Sequence, residues 1–99
     1  MVEVRLAPRA AADLATVRDY SERLYGADAA NEYLRGFNQS FDRLSEYPEI
    51  GSIVAGIRSI IRSLRHRQHR ILYRFDGLAI TVVRVLHKAQ NVRAFGEAG

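Results

Sequence analysis

The stretch from His69 to His87 leaves this chain few folding choices. His69-Arg70-Ile71-Leu72-Tyr73-Arg74-Phe75 and the run from Ala79 to Leu86 are rich in β-branched and aromatic residues. Asp76-Gly77 lies between them, a short and strong hairpin signal. Ahead of this pair, Arg58 to Arg65 reads as another strand, and His66-Arg67-Gln68 supplies its turn into the next. Three successive strands on short turns predict an antiparallel meander. Side chains alternate across a strand, so Ile71, Tyr73 and Phe75 point one way and Arg70, Leu72 and Arg74 the other. One face of the meander therefore needs a cover, and the other is a basic face that stays partly open.

The first half of the chain supplies the cover. Val2 to Leu6 alternates apolar and charged residues, as a half-buried strand does. Pro8 ends it and suits the first turn of a helix predicted over 9–25. Leu14, Val17, Tyr20 and Leu24 mark its buried side. Asp13, Thr16, Asp19 and Arg23 face water, with Asp19 and Arg23 spaced to pair. Gly26 is placed to end the helix, and Asp28 to cap a second one running to about Tyr47. Ala30, Tyr33, Leu34, Phe37, Phe41 and Leu44 recur at steps of three and four, which makes them core rather than a base-stacking platform. After Pro48, the residues from Glu49 to Gly56 show no period and read as a connection. The layout is one α+β domain: first strand 1–7, helical hairpin 8–47, β-meander 57–87, C-terminal segment 88–99.

Composition narrows the function classes. The chain has 99 residues and no cysteine, so disulfides and thiolate metal sites are excluded. No apolar run reaches the ~18 residues of a membrane span, and residues 1–6 lack a signal-peptide core. A cytoplasmic protein is expected. Residues 1–50 hold six Lys/Arg and nine Asp/Glu, a balance of −3, whereas residues 51–99 hold nine and two, a balance of +7. An acidic helical half and a basic sheet half favour a polyanion or an acidic protein segment as partner.

Several motifs together resemble the RelE/ParE toxin superfamily. They are the β-α-α-β-β-β order, Asp13-Leu14 in helix one, Tyr-Pro-x-x-Gly at 47–51, Arg-Ser-Leu-Arg-x-x-x-His-Arg-Ile-Leu-Tyr-Arg at 62–74, and Arg-Val-Leu-His at 84–87. The resemblance covers nearly the whole chain. It implies a helical hairpin packed on a small curved antiparallel sheet and the role of toxin in a bacterial type II toxin–antitoxin pair. It also implies a cognate antitoxin, ParD-like with a ribbon-helix-helix head. Ala7 departs from the pattern by standing where a helix-capping serine is usual, and Asn91 stands where an aspartate is often found.

The His-Arg-Ile-Leu-Tyr-Arg run and the Val-Leu-His ending look like the ParE branch, whose members trap DNA gyrase on cleaved DNA without cutting nucleic acid themselves. The alternative is the RelE branch, which cuts mRNA on the ribosome. For that chemistry Arg70 would meet the phosphate and His87 would act as base. Ala89 and Phe95 stand near where RelE-type enzymes carry a second arginine and a tyrosine, and neither can supply charge or a proton. No catalytic residue is therefore expected in the ParE reading. Arg65, Arg67, His69, Arg70, Arg74, His87, Lys88 and Arg93 are expected to contact the target or the antitoxin. Arg62 is expected to bond backbone near the connection, and Tyr73 to be core with its hydroxyl at the rim. His66 and His69 have no carboxylate or cysteine companion in sequence, so neither a metal nor a cofactor is expected.

Overall fold

The computed structural model describes residues 1–54 and 60–90. Its elements follow in the order β1 (Glu3–Leu6), α1 (Pro8–Tyr25), α2 (Ala27–Glu46), β2 (Ser52–Ile53), β3 (Arg62–His66), β4 (His69–Phe75) and β5 (Ala79–His87). The two helices form a hairpin on one face of a five-stranded sheet ordered β1-β5-β4-β3-β2. The meander is antiparallel as expected, and the helices cover it.

Three details differ from the sequence expectation. The first strand returns to the far edge of the meander and pairs with β5 in parallel, Glu3 opposite Ala79 through Leu6 opposite Val82, so the sheet is mixed. The connection after Pro48 contributes its own short strand, with Ser52 opposite Ser63 and Ile53 opposite Arg62. Finally, β3 begins at Arg62 rather than near Arg58. Residues 57–59, where the meander was expected to start, lie outside the described residues.

Gly26 ends one helix and begins the next. Its φ of 87° is open to glycine without strain. Its N–H donates to the Glu22 carbonyl at 3.0 Å, and its own carbonyl accepts from Ala30 at 3.1 Å. Asp28 is thus a first-turn residue of α2 rather than its cap. Ala7 precedes α1 with no side-chain cap bond, and Pro8 starts the helix. The buried stripe of α1 is Ala10, Val17 and Ser21, with Leu14 half-buried. Tyr20 and Leu24, expected inside, are 58% and 54% exposed, because this narrower stripe leaves them on its flank. The Asp19–Arg23 contact is a guanidinium on a backbone carbonyl, while Arg18 and Glu22 form the ion pair on this helix.

Helices and sheet enclose Phe37, Leu44, Ile71, Tyr73, Ile80, Val82 and Val85. Val82 and Val85 share this face although they are three positions apart, an odd step that alternation along a strand would put on opposite faces. A bulge explains it: Leu72 lies opposite Arg84 but Tyr73 opposite Val82, so Val83 is the extra residue. Val83 packs on a second cluster across the sheet, made by Ile61, Leu72 and Leu86 with Val54. The outer face is therefore not uniformly open, since Leu72 between Arg70 and Arg74 is fully buried.

The Tyr-Pro-x-x-Gly motif has a physical reason. Buried Gly51 donates its N–H to the Tyr73 hydroxyl at 2.8 Å, and a Cβ at Gly51 would sit 2.7 Å from that ring. Tyr73 is wholly buried, and its hydroxyl is a core acceptor rather than a rim group. Arg62 donates to the carbonyls of Glu49 and Gly51 at 3.0 and 2.9 Å, the structural role expected of it.

Candidate functional site

The β3–β4 hairpin carries most of the residues singled out in the sequence, and its register sorts them onto two faces. Arg65 lies directly opposite Arg70, and His66 directly opposite His69. Cross-strand partners share a face and neighbours along a strand do not. The arginines thus face outward, and the histidines turn toward the helices.

On the outer side, Arg65 and Arg70 border a hollow of about 420 Å³ together with Ser52, Ser63 and Ile53. Arg65 bonds the Arg67 carbonyl through Nε at 3.0 Å. Arg67 forms the turn itself, with a positive φ of 50°, and its guanidinium lies 5.8 Å from the centre of the Tyr33 ring. Arg65, Arg67, Arg70 and Arg74 are all exposed. No carboxylate pairs with any of them among the described residues.

On the inner side, His66 packs edge-on against Phe37 at 4.6 Å and lies 3.3 Å from the Tyr33 carbonyl. The Tyr33 hydroxyl is 2.7 Å from His69 Nδ1 and accepts from the Gln68 N–H at 3.4 Å, which directs the hydroxyl proton to the imidazole. Burial lowers the pKa of His69 to about 4, with help from the charges of His87 and His66. His69 is therefore a neutral, half-buried packing residue rather than a surface cation. Its ring meets that of His87 edge-on at 5.4 Å. Exposed His87 accepts from the Ala89 N–H through Nδ1 at 3.2 Å. Both histidines line a groove of about 630 Å³ beside α1, along with Tyr20, Tyr25, Tyr33 and Gln90.

Arg70 and His87, the pair named for RNA cleavage, consequently line different hollows on opposite faces of the sheet. Lys88 follows β5 in an exposed turn, its N–H on the Gln68 carbonyl at 2.7 Å. Arg93, Phe95 and Asn91 lie outside the described residues. Among those described, no three His, Cys, Asp or Glu side chains are grouped to hold a metal.

One pairing was not anticipated from sequence. The Asp13 carboxylate, expected in water, accepts from Arg84 Nε at 2.8 Å and Nη2 at 3.2 Å, and from the Val85 N–H at 2.9 Å. Asp13-Leu14 and Arg-Val-Leu-His both belonged to the resemblance, and the fold brings the two motifs together.

Comparison with known proteins agrees with this architecture. Residues 4–92 match the family model described as ParE toxin of type II toxin–antitoxin system, parDE. The chain is 33% identical over 94 residues to Toxin ParE1 of Caulobacter vibrioides, covering 95% of this chain and 97% of that protein. It is 38% identical over 88 residues to Toxin ParE1 of Mycobacterium tuberculosis, covering 88% and 90%. A solved structure described as the chromosomal ParDE TA system from P. aeruginosa superposes with a TM-score of 0.76, covering 88% of this chain and 96% of that one, at 19% identity. On the extent of the family match and of the relatives' identity, this chain belongs to the ParE toxins of type II toxin–antitoxin systems.

Proposed function

We propose that this ParE-family toxin inhibits DNA gyrase by holding it on cleaved DNA, and that a cognate ParD-like antitoxin neutralises it. The observation that carries the choice of target is the separation of Arg70 from His87. Ribosome-dependent mRNA cleavage needs cation, base and acid around one phosphate. Here the cation and the base lie on opposite sides of the sheet, and the other imidazole near His87 is held neutral against Tyr33. The outer arginines are instead arranged as a recognition surface, exposed, fixed by the hairpin and free of carboxylates among the described residues. Gyrase and its DNA place such a toxin in the bacterial cytoplasm, and no helix among the described residues is long and apolar enough to cross a membrane.

The antitoxin reading rests on the family and on surface chemistry. Tyr20, Leu24 and Tyr25 leave an apolar flank exposed on α1, next to the groove lined by Tyr33 and His87. A partner with an apolar and acidic tail would cover this flank and the arginines together. The test is a gyrase reaction on plasmid DNA with purified toxin, run beside a ribosome–mRNA reaction. Cleaved DNA that accumulates with toxin and disappears when antitoxin is added is expected. Fragmented mRNA with gyrase unaffected overturns the reading.

A further inference from the structure

The hollow on the outer face has an unusual donor set. Arg65 and Arg70 are cross-strand partners, and so are Ser52 and Ser63. All four line the same hollow, and every polar side chain in it is a donor or a hydroxyl. Arg65 spends only its Nε–H, on the Arg67 carbonyl. The side chains of Arg70, Ser52 and Ser63 have no hydrogen-bond partner among the described residues. Two like charges placed directly opposite each other weaken a strand pair. An anion between them would convert that repulsion into two charge-assisted bonds.

We propose that this hollow is a phosphate seat, through which the protein itself grips the sugar–phosphate backbone of DNA. Guanidinium and hydroxyl donors are the side chains that hold phosphate oxygens in nucleic-acid complexes. The cationic row also continues past the hollow. Arg74 lies on the same face of β4, four residues and so about 13 Å beyond Arg70. A chain of phosphates spans such a row, whereas a single carboxylate fills only the hollow. The aliphatic walls from Ile53 and Val54 give a sugar an apolar surface to lie on. The choice of DNA over RNA rests on the gyrase reading, and the phosphate seat does not.

The experiment is fluorescence anisotropy of a short labelled DNA duplex with the purified full chain, over a range of salt. Arg65→Gln/Arg70→Gln is compared with Arg9→Gln/Arg35→Gln, which removes the same charge from the exposed helical half. Both variants are checked by thermal melting, and relief of the opposed charges is expected to leave the first at least as stable as the parent. The hollow variant should lose about tenfold or more in affinity, and its slope of log K against log salt should shrink by about 2. The helical control should do neither, and Ser52→Ala/Ser63→Ala should weaken binding with the slope kept. Equal losses in both arginine variants, or no loss in the hollow variant, overturn the seat. So does capture of a glutamate-rich peptide through Arg65 and Arg70 by a chain that does not bind the duplex. Gyrase inhibition measured in parallel separates the two claims. A chain that binds duplex through these arginines but spares gyrase keeps the seat and loses the gyrase reading. A chain that inhibits gyrase while the hollow variant binds duplex normally does the reverse.

Discussion

Asp13 and Arg84 are seventy-one residues apart in sequence and 2.8 Å apart in space, and the contact closes a gap in the sheet. The parallel pairing of β1 with β5 stops at Leu6 opposite Val82, where the Ala7 N–H makes a last bond to the Val82 carbonyl. Beyond that point the outer edge of β5 would present bare backbone. The carboxylate from the second turn of α1 takes the Val85 N–H and the Arg84 guanidinium, so a side chain does the work of a strand.

Asp13→Ala leaves a guanidinium whose side chain is only 16% exposed without its carboxylate and a strand N–H without an acceptor. Each is costly inside a protein, and together they should remove about 3 kcal/mol. Urea denaturation monitored by circular dichroism measures it, and Asp13→Asn, which keeps an acceptor for Val85, should cost less. A loss under about 1 kcal/mol for the alanine variant would show that the edge finds other partners.

Gly36 sits inside α2, where alanine ordinarily stabilises by about 1 kcal/mol. Here a Cβ would lie 2.6 Å from His66 Nε2. The ring cannot yield easily, since Phe37 and Tyr33 pack around it. Gly36→Ala should therefore destabilise, by about 1–3 kcal/mol. The effect should vanish or change sign in a His66→Ala background, where the helix preference returns. Equal effects in the two backgrounds would exclude the steric account.

How much of this was legible beforehand depended on the range of the signal. Helix periods, Pro8, Gly26 and Asp76-Gly77 are local, and they yielded the helical hairpin and the meander. The inward turn of Asp13 is not local, because a carboxylate on a helix looks solvated until one knows where β1 ends. The bulge at Val83 changes which residues share a face and has no glycine to mark it. The grouping of His69 with Arg70 was avoidable. Adjacent residues of a strand face opposite ways, so the period of two already separated the packing histidine from the surface arginine. Tyr33 as the partner of His69 required the helix-to-sheet docking, which periodicity does not specify.

The burial of His69 makes stability depend on pH. In the unfolded chain its imidazole takes a proton near the ordinary value of about 6.5. In the fold it does so only near about 4, because burial and then the charges of His87 and His66 oppose it. Between these values the unfolded state binds more protons, so stability falls as pH drops through this window. The groups facing the ring are the Tyr33 hydroxyl, Phe37, His66 and His87. His66 is lowered in the same sense, mainly by burial, and adds to the slope. A loss on the order of 1 kcal/mol between pH 7 and pH 5 is expected once partial exposure is allowed for. His69→Gln should flatten that slope, and an imidazole resonance of His69 titrating near its ordinary value would refute the assignment.

Arg67 holds the β3–β4 turn with a φ of 50°, a left-handed conformation that costs a residue with a Cβ roughly 1 kcal/mol. Asparagine tolerates it better and avoids glycine's entropy in the unfolded chain. The arginine's own compensation is its position 5.8 Å from the Tyr33 ring centre, worth about 0.5 kcal/mol at an exposed site. Arg67→Asn should therefore raise stability by about 0.5 kcal/mol, read as a small upward shift in the thermal midpoint. It should also weaken the toxin's hold on its target, because it removes an exposed cation from the tip of the hairpin that carries Arg65 and Arg70. Opposite signs in the two measurements are what a strained residue kept for binding produces. If both fall together, Arg67 is a structural turn residue and the recognition surface does not reach the hairpin turn.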